Sequence, residues 1–170
     1  MLVYYLGGND VGGGVIIKGN GDGSPLNPVS GNTANIPTVA FQDINGNNPT
    51  PDGTTDWSNW TIATMQLPTR GGGSGTAMYL WKKSTGELDL WENLAADPDA
   101  GNLTYTSYLV ATGWNTGAAL TLQAADANGD GIPDLWAVST GGTVTANLFT
   151  NLSTTAPVTQ TQVTETLTTD

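Results

Sequence analysis

The sequence predicts an all-β protein built from antiparallel four-stranded repeat units, and three observations carry that expectation. Glycine supplies 23 of the 170 residues, and Thr and Asn are abundant, a composition that favours short strands and turns. No long segment places apolar residues at helical spacing. Most decisively, the chain repeats itself. Displaced by 57 residues, Trp57-Ser58-Asn59 falls on Trp114-Asn115-Thr116 and Thr64-Met65-Gln66 on Thr121-Leu122-Gln123. Met78-Tyr79-Leu80-Trp81 likewise falls on Leu135-Trp136-Ala137-Val138. After a one-residue slip, Gly86-Glu87-Leu88 meets Gly142-Thr143-Val144, and further on Asn93-Leu94 meets Asn151-Leu152.

The best-preserved unit predicts strands over residues 60–66, 77–83, 87–94 and 103–112. Ser84-Thr85-Gly86 forms the hairpin between its second and third strands. The following unit predicts strands over 118–125, 134–140, 143–150 and about 158–167, with Gly141-Gly142 as its hairpin. Four antiparallel strands in a period of several tens of residues is the arithmetic of a β-propeller blade. At the N-terminus, Leu2-Val3-Tyr4-Tyr5 matches Leu135-Trp136-Ala137-Val138, so the chain enters in mid-blade. Val15–Lys18 then reads as third strand, Pro37–Gln42 as fourth, and residues 44–56 as an irregular insertion. The expected organisation is a partial first blade with insertion over 1–56, a second blade over 57–113, and a third over 114–170. About three blades are fewer than the roughly four to eight that close a ring. The expected assembly is therefore an excised piece of a longer chain, a blade stack that stays open, or a ring completed by oligomerisation or neighbouring domains.

Fifteen acids against four bases (Lys18, Arg70, Lys82 and Lys83) give a net charge of −11. That balance offers no electrostatic footprint for nucleic acid or an anionic membrane. No apolar run approaches the roughly 18 residues of a membrane helix. Without Cys or His, thiol nucleophiles, disulfides, Ser-His-Asp triads and zinc sites built on those side chains are excluded. Any metal would need oxygen ligands, which means a hard cation such as calcium.

One loop fits that requirement. In Asp126-Ala127-Asn128-Gly129-Asp130-Gly131-Ile132-Pro133-Asp134, side-chain oxygens stand at positions one, three, five and nine. Position seven offers a carbonyl and Gly131 permits the tight turn, as in the first three-quarters of an EF-hand loop. The twelfth position is Ala137, not Glu, and a strand follows, so the expectation is a β-hairpin calcium loop. Its ligands would be Asp126, Asn128, Asp130, Ile132 (carbonyl) and Asp134. Asp43, Asn45, Asn47 and Asp52 form a degenerate second candidate.

The pattern D-x-N-G-D-G-x-x-D-L-W at Asp126–Trp136 resembles the calcium loops of FG-GAP/VCBS-type repeats, the blades of integrin-α-like β-propellers. Val15-Ile16-Ile17-Lys18-Gly19-Asn20-Gly21-Asp22-Gly23 resembles the strand exit of that family. Thr85-Gly86-Glu87-Leu88-Asp89-Leu90-Trp91 resembles the hairpin of its bacterial members. The resemblance covers essentially the whole chain and implies structural calcium. It departs at Thr69–Ala77, the equivalent loop of the middle unit, which has no carboxylate. At residues 18–26 it departs again, because Lys18 and Leu26 occupy ligand positions.

The six tryptophans, Trp57, Trp60, Trp81, Trp91, Trp114 and Trp136, are expected mainly in the core, since both faces of a blade are covered. Trp91 shares its strand face with Glu87 and Asp89 and is the candidate for an exposed sugar platform. The function expected from these readings is a non-catalytic, calcium-binding recognition or adhesion module that binds a glycan or a cell-surface protein. The alternative is a structural spacer beside a secreted hydrolase or lectin-like domain. Absent Cys, high acidity and the calcium-type loop favour a secreted or surface location. MLVYYLGG carries no basic leader, so secretion implies a leader already removed.

Overall fold

In the computed structural model, the structure describes residues 2–4, 14–17, 38–40, 50–54, 56–67, 75–97, 102–152 and 159–166. Every regular element in them is a strand except a single 3-10 turn at Trp57–Asn59. The strands are β1 (Leu2–Tyr4), β2 (Gly14–Ile17), β3 (Thr38–Ala40), β4 (Trp60–Gln66), β5 (Thr76–Lys82) and β6 (Glu87–Asp97). They continue with β7 (Asn102–Ala111), β8 (Leu120–Ala125), β9 (Asp134–Ser139), β10 (Thr143–Thr150) and β11 (Thr159–Thr166). Each expected strand is present, with ends displaced by a few residues at most.

The strands form one three-stranded sheet, β1-β2-β3, and two four-stranded sheets, β4-β5-β6-β7 and β8-β9-β10-β11, each following chain order. β1-β2-β3, β4-β5-β6 and β8-β9-β10-β11 pair antiparallel, as short connections between successive strands require. The repeat is visible in the backbone. Gly86 (φ 71°) and Gly142 (φ 81°) turn the two equivalent hairpins. Asn93 and Asn151, the pair matched in the sequence, both adopt the left-handed conformation, at φ 56° and 55°.

The chain divides into two compact units, residues 1–59 with 95–104 and residues 60–94 with 105–170. In the first, Thr50, Asp52, Thr54 and Asp56 form a hydroxyl-carboxylate cluster. Asp52 Oδ1 accepts from the Thr50 hydroxyl at 2.7 Å and the Thr54 amide at 3.2 Å, and Asn59 Nδ2 donates to Asp56 Oδ2 at 2.9 Å.

The second unit holds the apolar core. Strand alternation puts Ala77, Tyr79 and Trp81 of β5 and Leu88 and Leu90 of β6 on one face. They share a cluster with Leu122 and Ala124 of β8, Leu135 and Ala137 of β9, and Phe149 of β10. The two four-stranded sheets thus pack face to face. Tyr79 and Phe149 meet with ring centroids 5.5 Å apart. Trp81 stands edge-on to Trp114 at 5.7 Å and donates its indole N–H to the Trp114 carbonyl at 3.0 Å, so the polar edge of a buried indole is satisfied. The opposite face of the β4–β7 sheet is also buried, with Met78 and Leu80 at 0% exposure. Burial on both faces explains why β5 reads Ala-Met-Tyr-Leu-Trp without polar alternation.

Candidate functional site

The loop between β8 and β9 turns through Gly129 (φ 78°) and Gly131 (φ 82°). Its acids point at the loop's own amides. Asp126 accepts from Gly129 N–H at 2.8 Å through Oδ1 and from Gly131 N–H at 3.0 Å through Oδ2. Asn128 Oδ1 accepts from the Asp130 amide at 2.9 Å, while its Nδ2 donates to Asp130 Oδ2 at 3.0 Å. Asp130 Oδ1 accepts from Ile132 N–H at 2.8 Å. Asp134, fully buried, accepts from Ala127 N–H at 2.8 Å and reaches across to Phe149 N–H of β10 at 3.0 Å. The Ile132 side chain packs against the core.

This arrangement corrects the calcium expectation. Among the described residues, no group of three or more Asp, Glu, His or Cys side chains is placed to hold a metal ion. Asp126, Asn128, Asp130 and Asp134 act as turn formers, and the Ile132 carbonyl is no ligand. The physical reason is that Asp and Asn oxygens that could ligate an ion also cap local N–H groups, and here the amides take them. The calcium-binding and metal-binding assignment falls with it. At the second candidate, Asp52 is held by Thr50 and Thr54, whereas Asp43, Asn45 and Asn47 lie outside the described residues, as do residues 18–26 and 68–74.

Burial pushes the Asp134 carboxyl above the ordinary carboxylate range, with the Asp130 charge adding to it, against amide hydrogen bonds from Phe149, Ala127 and Asn128. Burial likewise raises the Tyr79 hydroxyl well above its usual value, helped by the Asp134 and Glu92 charges. Its hydroxyl donates to the Pro133 carbonyl. Glu92 is raised by burial too, opposed by a hydrogen bond with Tyr108.

Trp91 does lie on the strand face of Glu87 and Asp89, but it is 1% exposed and stacks flat on Tyr105, centroids 3.7 Å apart and planes 7° from parallel. An open sugar platform at Trp91 is therefore corrected: its ring is inside. Trp57, Trp60, Trp81 and Trp114 are also buried. Trp136 is the exception, 37% exposed beside Val138 at 36%.

Sequence reasoning missed one concavity. A groove of about 340 Å³ opens where β4 and β5 of one sheet meet the start of β8 and the end of β9 of the other. Thr61, Ser139 and Thr140, together with Lys83 and Trp81, are among its lining residues, whereas Thr121 alternates with core-facing Leu122 and so turns its side chain to the other face of β8. Lys83 reads from sequence as a solvated strand end. Only the face-to-face packing of the sheets puts it in one groove with Ser139 and Thr140. No helix among the described residues is long and apolar enough to cross a membrane. No family model matches the chain, and neither does any curated protein or solved structure.

Proposed function

We propose that this chain is a non-catalytic recognition or adhesion module of a secreted or cell-surface protein, built from propeller-type blades similar to FG-GAP/VCBS repeats. Its ligand is a neutral saccharide. The groove between the two four-stranded sheets carries this reading. The three hydroxyl side chains of Thr61, Ser139 and Thr140, which both donate and accept, beside one ammonium donor, match the alternating donors and acceptors of sugar hydroxyls. The net charge of −11 disfavours long-range attraction of polyanionic glycans, which leaves uncharged sugars as the class. The blades over 57–113 and 114–170 act as the rigid frame that sets the spacing of these groups.

A glycan array probed with the whole chain tests the proposal. Binding to a set of neutral glycans is expected, and Lys83→Ala should weaken it about tenfold, the value of one charge-assisted hydrogen bond. Silence on glycans would turn the assignment toward a structural spacer.

A further inference from the structure

Asn128 and Gly129 stand in the loop between β8 and β9, and both are exposed. Asparagine is a labile side chain, and a following glycine leaves its amide open to the backbone, because the next N–H has no Cβ beside it. Asn20-Gly21 and Asn45-Gly46 repeat the pair outside the described residues. At Asn128 the surroundings add what a bare Asn-Gly pair lacks. Asp126 Oδ1 accepts the Gly129 N–H at 2.8 Å, so a carboxylate already faces the proton that must leave before that nitrogen attacks. The Asn128 side-chain carbonyl accepts from the Asp130 N–H at 2.9 Å, a donor aimed where negative charge would develop. A Cβ built on Gly129 meets nothing within 4 Å, so the turn has open space around the reacting nitrogen.

We propose that Asn128 is a site of self-modification, at which the loop converts the side-chain amide into a carboxylate. The Gly129 nitrogen gives its proton to Asp126 and bonds to Asn128 Cγ. The tetrahedral centre carries its negative charge on Oδ1, facing the Asp130 amide. Collapse breaks the Cγ–Nδ2 bond, and Nδ2 takes up the proton held by Asp126 and leaves as ammonia. The five-membered imide that remains adds water at either carbonyl and opens to aspartate or isoaspartate at position 128. One water is consumed, one ammonia is released, and nothing is oxidised or reduced. The product loses the Nδ2 donor to Asp130 Oδ2 and adds one negative charge to the native −11. Base and oxyanion donor are both placed by the folded turn, so the native chain reacts faster than the unfolded one.

Incubation of the whole chain at neutral pH, followed by peptide mapping with mass spectrometry, tests this against the same chain unfolded in urea. Conversion at Asn128 should be at least about tenfold faster in the native protein, a modest share of what a positioned general base contributes. Asp126→Asn keeps an acceptor for the Gly129 amide but has no basic carboxylate. It should slow the native reaction by about the same factor and leave the rate in urea unchanged. If Asp126→Asn does not fold, the native-to-urea ratio of the unaltered chain decides. A native rate no higher than the rate in urea overturns the proposal. So does a folded Asp126→Asn protein that converts as fast as the unaltered chain.

Discussion

The Tyr79 hydroxyl, buried in the β4–β7 sheet, donates to the main-chain carbonyl of Pro133, the residue that leads into β9 of the neighbouring sheet. One phenol therefore fixes the end of the acidic loop against the core. Tyr79→Phe keeps the ring and its contact with Phe149 but leaves that carbonyl without its donor. The expected loss is about 1–2 kcal/mol, read as a lower urea midpoint at unchanged m. An unchanged midpoint would mean that the hydroxyl has no structural role.

Asp134 and Glu92 give stability an unusual pH dependence. Both carboxyls are raised by burial, so the fold binds their protons more tightly than the unfolded chain does. Their contribution is complete below the unfolded carboxylate pKa of about 4 and is lost as pH rises through the folded values. The urea midpoint should therefore increase as pH is lowered from neutral to about 5, and relief of self-repulsion among the −11 charge acts in the same direction. Asp134→Asn should flatten the slope whatever it does to the absolute level. A midpoint that falls over that range contradicts the assignment.

With its oxygens engaged by amides, the 126–134 loop should be indifferent to chelation. The melting temperature in EDTA should match that in millimolar calcium. Asp134→Ala, which strips the acceptor from the Ala127 and Phe149 amides, should cost about 2–4 kcal/mol by denaturant titration with or without the ion. Calcium-dependent stabilisation abolished by Asp126→Asn would reverse this conclusion.

Gly86 and Gly113 separate two effects of a methyl group. Both lie at positive φ, 71° and 72°. A Cβ on Gly113 meets nothing within 4 Å, whereas one on Gly86 would stand 2.5 Å from the Gly113 carbonyl carbon and 2.6 Å from the Trp114 nitrogen. Gly113→Ala should cost about 1–2 kcal/mol from backbone conformation alone. Gly86→Ala should cost about 2–5 kcal/mol, because overpacking is added. Equal melting temperatures for the two variants would show that the turn yields.

The strands were legible because alternation and the repeat report the same thing: Gly86 with Gly142 and Asn93 with Asn151 mark equivalent bends in both letters and backbone. The loop at 126–134 misled because spacing specifies which oxygens are nearby and not where they point. An Asp-x-Asn-x-Asp run serves an ion or its own amides equally well. Trp91 misled differently. Period two assigned its face correctly, but whether that face is covered depends on packing that alternation does not encode. The Lys83 groove had no local signal, since its walls come from β4, β5, β8 and β9.

The hairpin after β5 does more than reverse the chain. The Gly86 carbonyl accepts from the Trp114 amide at 2.8 Å, the Lys83 carbonyl from the Gly117 amide at 2.9 Å, and the Thr85 carbonyl from the Thr116 hydroxyl at 3.2 Å. The segment joining one sheet to the next is thus gripped by the hairpin of the first. The position at which β8 begins is set by the shape of a turn about thirty residues earlier, and a change in the Ser84–Gly86 hairpin is felt in the neighbouring sheet as well as in its own.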